Sequence, residues 1–272
     1  MNFVSYAHLT KDVTGWAKNL PEFDLVVGIP RSGMLPATIL ALYWNCQLAS
    51  LDEFVEGKVM TQGERGENKE IKKVLVIDDS YFKGVSMMKA RKKLKGSKYQ
   101  ISYGAVYIAE KEHDLDYFFK VIPQDRFFQW NWRYHKNLIN AACFDIDGVL
   151  CVKPTPEQND DGEKYRAFIR DTKPLYVPNQ EIGMIVTSRL EKFRPETEEW
   201  LKRNGVRYKH LRMLNYPSGA FRRRMGHHGY HKASYIKQTN SPLFVEDEPW
   251  QAKQIAEMSG KRVLCVTDWR LY

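Results

Sequence analysis

Short apolar runs alternate with amphipathic stretches along most of the chain. Runs at residues 25–29, 74–77, 101–108, 141–146, 182–186, 243–245 and 263–266 are rich in Val, Ile and Leu and predict strands. After three of them apolar residues recur every three or four positions, over 34–43, 86–94 and 194–203, which predicts helices. Strands alternating with helices assemble most naturally as parallel sheets with crossover connections, the α/β class. In such sheets ligands lie beyond the carboxyl ends of the strands, so the residues just after each run are the first place to look for chemistry.

The length of 272 residues favours two modest domains over one large core. No linker rich in Gly, Ser or Pro marks the join. A dense aromatic segment, Phe127, Phe128, Trp130, Trp132 and Tyr134, ends just before the run at 141. The boundary is therefore placed near Asn137, giving domains 1–137 and 138–272, with the aromatic rings expected to pack where the two domains join. No apolar run reaches the roughly 20 residues that span a bilayer, and residues 1–9 do not read as a secretion leader, so no membrane partner and a cytoplasmic location are expected. Cys46, Cys143, Cys151 and Cys265 form no CxxC pair and are expected to be reduced packing thiols. The net charge of +9 divides almost evenly between the two halves. Residues 207–240 stand out, because they hold Arg222, Arg223, Arg224 and Lys232 and no acid. That stretch is either a solvated face or a contact surface for phosphate or nucleic acid.

Two loops in the first half carry anion chemistry. Asp78 and Asp79 close a strand and are followed by Ser80, Tyr81, Phe82, Lys83, Gly84, Val85 and Ser86 before a helix. A tight loop entering a helix N-terminus offers backbone N–H groups to a monophosphate, while vicinal carboxylates accept hydrogen bonds from ribose hydroxyls. The earlier loop, Gly28, Ile29, Pro30, Arg31, Ser32 and Gly33, pairs small residues with one cation and suits a second anion. Together they resemble type I phosphoribosyltransferases. The resemblance implies that Arg31, Ser32 and Gly33 hold the pyrophosphate of 5-phosphoribosyl pyrophosphate (PRPP), Asp78 and Asp79 its ribose, and Lys83, Gly84 and Ser86 its 5-phosphate. Phe82 and Lys83 stand where that family usually has Thr. It also implies a closing loop over 52–72, where Lys58, Arg65 and Lys69 are candidates to meet pyrophosphate, and an acceptor hood from 1–19 or 110–125.

In the second half, Phe144, Asp145, Ile146, Asp147, Gly148, Val149 and Leu150 end a strand in two carboxylates at alternate positions. Three further pieces follow in order: Thr187, Ser188 and Arg189 after a strand, Lys232 with Lys237 as its rival, and Glu246 with Asp247 after another strand. The set resembles phosphatases of the haloacid dehalogenase (HAD) superfamily. The resemblance implies that Asp145 attacks phosphorus and Asp147 serves as acid and base. Thr187, or Ser188 one position on, would bind the phosphoryl group, with Arg189 and Arg194 within reach. Lys232 would neutralise charge, and Asp145, Asp247 and the backbone carbonyl of Asp147 would hold Mg²⁺, with Glu246 assisting through water. His227, His228 and His231 lack a fourth zinc ligand and are read as a surface loop. Only about 30 residues, 152–181, separate the first two pieces, too few for a large cap, so an open site is expected.

The combination resembles phosphoribosyltransferase–HAD fusions associated with tellurite-resistance gene neighbourhoods and phages. The leading expectation is a bifunctional enzyme that transfers phosphoribosyl from PRPP to an acceptor and hydrolyses the 5-phosphate of the product. The alternatives are a HAD phosphatase governed by a PRPP-sensing domain, and a polynucleotide-end phosphatase using the basic stretch. PRPP and a phosphomonoester are the expected partners, with self-association into a homodimer left open.

Overall fold

In a computed structural model of the chain, residues 1–60, 70–111, 113–226 and 228–272 are described. Arg65, Lys69 and His227 lie outside them. The chain forms two compact units, Met1–Trp130 and Asn131–Tyr272. Among the described residues no helix is long and apolar enough to cross a membrane.

The first unit runs β1 (Asn2–Val4), α1 (Tyr6–Ala17), β2 (Leu25–Gly28), α2 (Met34–Trp44), β3 (Gln47–Ser50), α3 (Leu51–Val55), β4 (Lys73–Tyr81), α4 (Val85–Lys93), β5 (Gln100–Ile108), β6 (Tyr117–Val121) and β7 (Arg126–Phe128). A five-stranded sheet has the order β3-β2-β4-β5-β6 and is parallel throughout, while β1 and β7 form a separate parallel pair. The central strands are buried on both faces, as their unbroken apolar runs require: Leu25, Val26 and Val27 of β2 and Val74 to Ile77 of β4 have no exposed surface. Each such side chain contributes about 1.5–3 kcal/mol by leaving water. Of the expected closing loop at 52–72, the first residues belong to α3, where Ser50 and Glu53 form a capping box.

The second unit contains α5 (Lys136–Ile139), β8 (Cys143–Phe144), α6 (Glu163–Asp171), β9 (Ile182–Leu190), α7 (Arg194–Arg203), β10 (Tyr208–Leu214), α8 (Gly219–Met225), α9 (His228–Lys237), β11 (Leu243–Glu246), α10 (Pro249–Ser259), β12 (Arg262–Cys265) and β13 (Arg270–Leu271). Its sheet has the order β10-β9-β8-β11-β12-β13, with β13 antiparallel to β12 and the rest parallel. Strand β8 is much shorter than the apolar run at 141–146, because the chain turns after Phe144. Backbone N–H groups of Val149, Leu150 and Cys151 all reach the Ile146 carbonyl there.

The division falls at Trp130, not near Asn137, and it cuts through the aromatic segment. Trp130 stacks on Phe128 at 4.9 Å in the first unit. Trp132, 2% exposed, stacks on Phe144 at 5.9 Å in the second. Trp130 therefore packs within the first unit and Trp132 in the core of the second.

Candidate functional site

In the first unit the two anion loops end adjacent strands β2 and β4. Gly33 is required by close packing, since a Cβ there would lie 2.8 Å from the Ile77 carbonyl oxygen. The Pro30–Arg31 peptide is cis, and Arg31 is exposed. Gly84 adopts φ +67° and opens α4, a conformation that disfavours any side chain. Asp78, Lys83, Gly84 and Ser86 line one recess of about 190 Å³. Asp79 does not line it. Its carboxylate accepts from Ser32 Oγ at 2.9 Å and from Trp130 Nε1 at 2.7 Å, and it is 3% exposed. The predicted ribose pair is thus separated: Asp78 faces the recess, and Asp79 ties the first loop to the end of the unit. Lys83 lies 5.6 Å from the centroid of the Phe82 ring. Lys58 is exposed and paired with Glu56 at 2.7 Å.

Burial, reinforced by the neighbouring Asp79 charge, raises the Asp78 pKa to about 8. Between the ordinary carboxyl range near 4 and that value, the folded chain keeps a proton that the unfolded chain has released. Stability therefore falls as pH rises through this window, by at most about 1.4 kcal/mol per unit. Asp78→Asn should flatten this dependence and stabilise the protein at pH 8, as read by denaturant unfolding between pH 5 and 8. An unchanged slope in the variant would show that Asp78 does not carry the proton.

In the second unit, the three adjacent strand ends of β9, β8 and β11 and helix α9 converge on a recess of about 190 Å³ lined by Asp145, Asp147, Thr187, Ser188, Lys232 and Asp247. Lys232 is its pivot. Its Nζ donates to Asp145 Oδ2 at 2.6 Å, Glu246 Oε2 at 2.7 Å and Gln251 Oε1 at 3.0 Å, and the side chain is 2% exposed. Burial works against its charge, yet the two carboxylates hold its pKa above the ordinary value. Burial also raises Asp145, to about 6, against the pull of Lys232. Burial raises Glu246 and Asp247 as well. Asp145 Oδ1 accepts from Ile146 N–H at 2.7 Å, and Glu246 Oε1 from Asp247 N–H at 3.1 Å, which fixes both carboxylates. Oxygen atoms of Asp145, Glu246 and Asp247 lie within 4.8 Å of one another. Gly148, at φ +81°, leaves room for the Asp247 carboxylate, which a side chain there would strike.

Asp147 leaves the carboxylate cluster. Although Asp145 and Asp147 line the same recess, the turn after Phe144 sends the second carboxylate to Arg189, whose Nη2 donates at 2.7 Å and whose Nε lies 3.2 Å from Oδ2. Tyr165 Oη, at 3.4 Å, and Cys151 Sγ, at 3.4 Å, complete its surroundings. Burial opposes ionisation of Asp147, but the guanidinium outweighs it and holds the pKa below the usual range. Arg189 is fully buried and does not line the recess, so its expected role in substrate binding gives way to one of holding Asp147.

Thr187 is 1% exposed, and its carbonyl accepts from His231 Nε2 at 3.2 Å. Burial lowers the pKa values of His228 and His231 to about 4, so both are neutral at pH 7. They are packed residues, not a surface loop. Lys237 is exposed, which leaves Lys232 as the site lysine, and Arg194 is paired with Glu191 and Glu198. The acid-free stretch at 207–240 is not one solvated face: Lys232 and Arg222 are buried, while Arg223 and Arg224 are exposed.

No protein-family model matches the sequence, and no curated protein matches it. Solved structures do align with it. A purine phosphoribosyltransferase from Pyrococcus horikoshii covers 47% of this chain and 92% of its own, at 17% identity and a TM-score of 0.36. A xanthine-guanine-hypoxanthine phosphoribosyltransferase from Helicobacter pylori covers 49% and 95%, at 19% identity and a TM-score of 0.39. A hypoxanthine phosphoribosyltransferase from Staphylococcus aureus covers 44% and 76%, at 18% identity and a TM-score of 0.30. The alignments fall on the N-terminal half.

Two site residues, Gln251 and Lys153, carry no signal in the sequence. Gln251 sits on α10 and reaches Lys232. Lys153 forms ion pairs with Asp247 and Glu248. Trp130 and Arg222, conspicuous in the sequence only by composition, hold Asp79 and line the second recess respectively. Each is brought in by tertiary packing from an element outside the motifs.

Proposed function

We propose that the chain is a two-site enzyme of phosphorylated ribose compounds. Its C-terminal unit hydrolyses phosphomonoesters through Asp145, and its N-terminal unit takes PRPP and passes the phosphoribosyl group to an acceptor. The observation that carries this reading is the Lys232 ammonium bridging Asp145 and Glu246 in a recess that also holds Thr187 and Asp247.

Asp145 is aimed by Lys232 and by the Ile146 N–H, leaving a carboxylate oxygen to attack phosphorus. The bond to the leaving oxygen breaks, and Asp147 supplies that oxygen with a proton. Water then cleaves the aspartyl phosphate, giving up its proton to Asp147 and releasing phosphate. Arg189 keeps Asp147 ionised at rest, which suits the second half of the cycle. A phosphoryl dianion arriving beside it acts in the opposite direction and favours the protonated form needed in the first. Thr187 and Lys232 supply the hydroxyl and the cation for the phosphoryl oxygens. Three clustered carboxylates with oxygen donors fit a hard cation, so Asp145, Glu246 and Asp247 would hold Mg²⁺, which when bound offsets phosphoryl charge.

In the first unit, the bond from C1 of PRPP to pyrophosphate breaks as the acceptor bonds to C1 and loses its proton. Asp78 and the loop at 83–86 would hold the ribose and its phosphate. A second reading, in which this unit senses PRPP without transferring, is favoured by Asp79, since Ser32 and Trp130 already occupy its carboxylate.

The test is phosphate release from nucleotide and sugar phosphates with Mg²⁺, with and without PRPP and an acceptor panel. Asp145→Asn should reduce release by at least about a thousandfold and let a phosphorylated ribosyl product accumulate. Release that survives Asp145→Asn would overturn the phosphatase assignment. PRPP that binds but is never consumed would favour the sensor.

A further inference from the structure

Arg222, in α8, lines the same recess as Asp145 and is 8% exposed. Its Nη1 donates to the Ser188 carbonyl at 2.8 Å and its Nη2 reaches Asn159 Oδ1 at 3.4 Å, while Nε has no partner. The two acids that feel its charge are already paired, Asp147 with Arg189 and Asp161 with Lys192. Arg222 is therefore a buried guanidinium without an ion-pair partner among the described residues. Such a group is costly to fold unless something anionic completes it. Arg189, fully buried in the same unit, shows the ordinary solution, a carboxylate at 2.7 Å.

The groups around Arg222 are neutral donors. The Ser188 hydroxyl, facing the same recess, is buried without a partner. His228 also lines the recess and is uncharged at pH 7, because burial, aided by the Arg222 charge, lowers its pKa to about 4. A guanidinium with a free N–H, flanked by a hydroxyl and an imidazole, matches the several acceptors of a tetrahedral oxyanion. The phosphoryl group under attack already has Lys232 and Thr187.

We propose that Arg222, with Ser188, His228 and Asn159, receives a second phosphate group of the substrate, next to the phosphoryl group that Asp145 attacks. This rests on the phosphatase reading and deepens it, assigning the substrate class as compounds with two neighbouring phosphates. The second phosphate belongs either to a small bisphosphate or to the diester beside a terminal phosphate in an oligonucleotide.

The full-length chain with Mg²⁺ is compared on adenosine 5′-monophosphate, adenosine 3′,5′-bisphosphate and a 5′-phosphorylated dinucleotide. The wild type should favour one doubly phosphorylated compound by about tenfold in kcat/KM, mainly through KM, and the favoured compound identifies the source. Asn159→Asp supplies the missing carboxylate against Arg222. It should raise the melting temperature and cut the preference to within about threefold. Arg222→Met should erase the preference as well. Equal kcat/KM on all three compounds in the wild type overturns the proposal. So does a raised melting temperature in Asn159→Asp with the preference intact, or an equal loss on all substrates in Arg222→Met. Failure of the phosphatase reading shows differently, as no wild-type release that Asp145→Asn removes. Calorimetry of adenosine 3′,5′-bisphosphate with wild type and Asn159→Asp then decides the matter without turnover, equal affinities overturning the site.

Discussion

Replacing Lys232 with methionine is expected to abolish phosphate release and to destabilise the C-terminal unit by about 3–5 kcal/mol at pH 8. The ammonium is the cation that holds Asp145 and Glu246 at 2.6 and 2.7 Å, and Glu246 has no exposed surface. Methionine fills much of the same volume, so the effect comes from charge and not from a cavity. Two buried carboxylates would then face each other, with Asp247 beside them. Their remedy is to take up protons, which burial already favours, since Asp145 titrates at about 6 even with Lys232 in place. The deficit should therefore shrink as pH falls towards 5, because burial raises the pKa values of all three carboxylates and protonation removes the unpaired charge. Denaturant unfolding at pH 5 and pH 8 measures this directly. Adding Asp145→Asn to Lys232→Met should restore part of the lost stability, because one of the unpaired charges is gone. Equal stability of Lys232→Met and wild type at pH 8 would mean that the bridge contributes nothing to the fold.

The strands and the residues at their ends were the legible part of the sequence. Apolar runs at 25–29 and 74–77 are continuous because β2 and β4 are covered on both faces, and a pattern of that kind depends on the local sequence alone. Helix α7 has the bounds that periodicity predicts, and α2 and α4 differ by a residue or so. What the sequence could not supply is the partner of each charged group. Asp78 and Asp79 are chemically identical neighbours, and only Ser32 and Trp130, 47 and 51 positions away, turn one of them from the recess. Alternation along a strand put Asp145 and Asp147 on one side, but β8 stops at Phe144 and the following turn sends them to different cations. The same limit applies to the basic stretch at 207–240. Composition shows that it lacks acids, yet whether a cation is solvated or buried depends on which helix face meets the sheet. Short strands such as β1 and β7, three residues each, carry too few positions to show any period.

Arg189→Met should separate the two halves of the proposed chemistry. Arg189 donates to Asp147 through Nη2 at 2.7 Å and through Nε, and it is completely buried, with Cys151 Sγ at 3.3 Å and Thr197 Oγ1 at 3.4 Å. The fork geometry sets where the carboxylate points, and methionine cannot reproduce it. Without it Asp147, 20% exposed, loses its ion-pair partner and keeps only the Tyr165 and Cys151 contacts, and stability should fall by up to about 3–5 kcal/mol. Activity has to be compared at a temperature where the variant is folded, as checked by its melting curve. Under that condition, hydrolysis of an alkyl phosphate should fall by about 10²–10⁴, because its leaving oxygen needs a proton delivered from a fixed position. Hydrolysis of p-nitrophenyl phosphate should fall far less, since its leaving oxygen departs without one. Arg189→Lys keeps the charge and loses the fork, so it should lie between methionine and the wild type for the alkyl ester. A purely structural arginine would lower both substrates by the same factor, and that result would remove Asp147 from the protonation step.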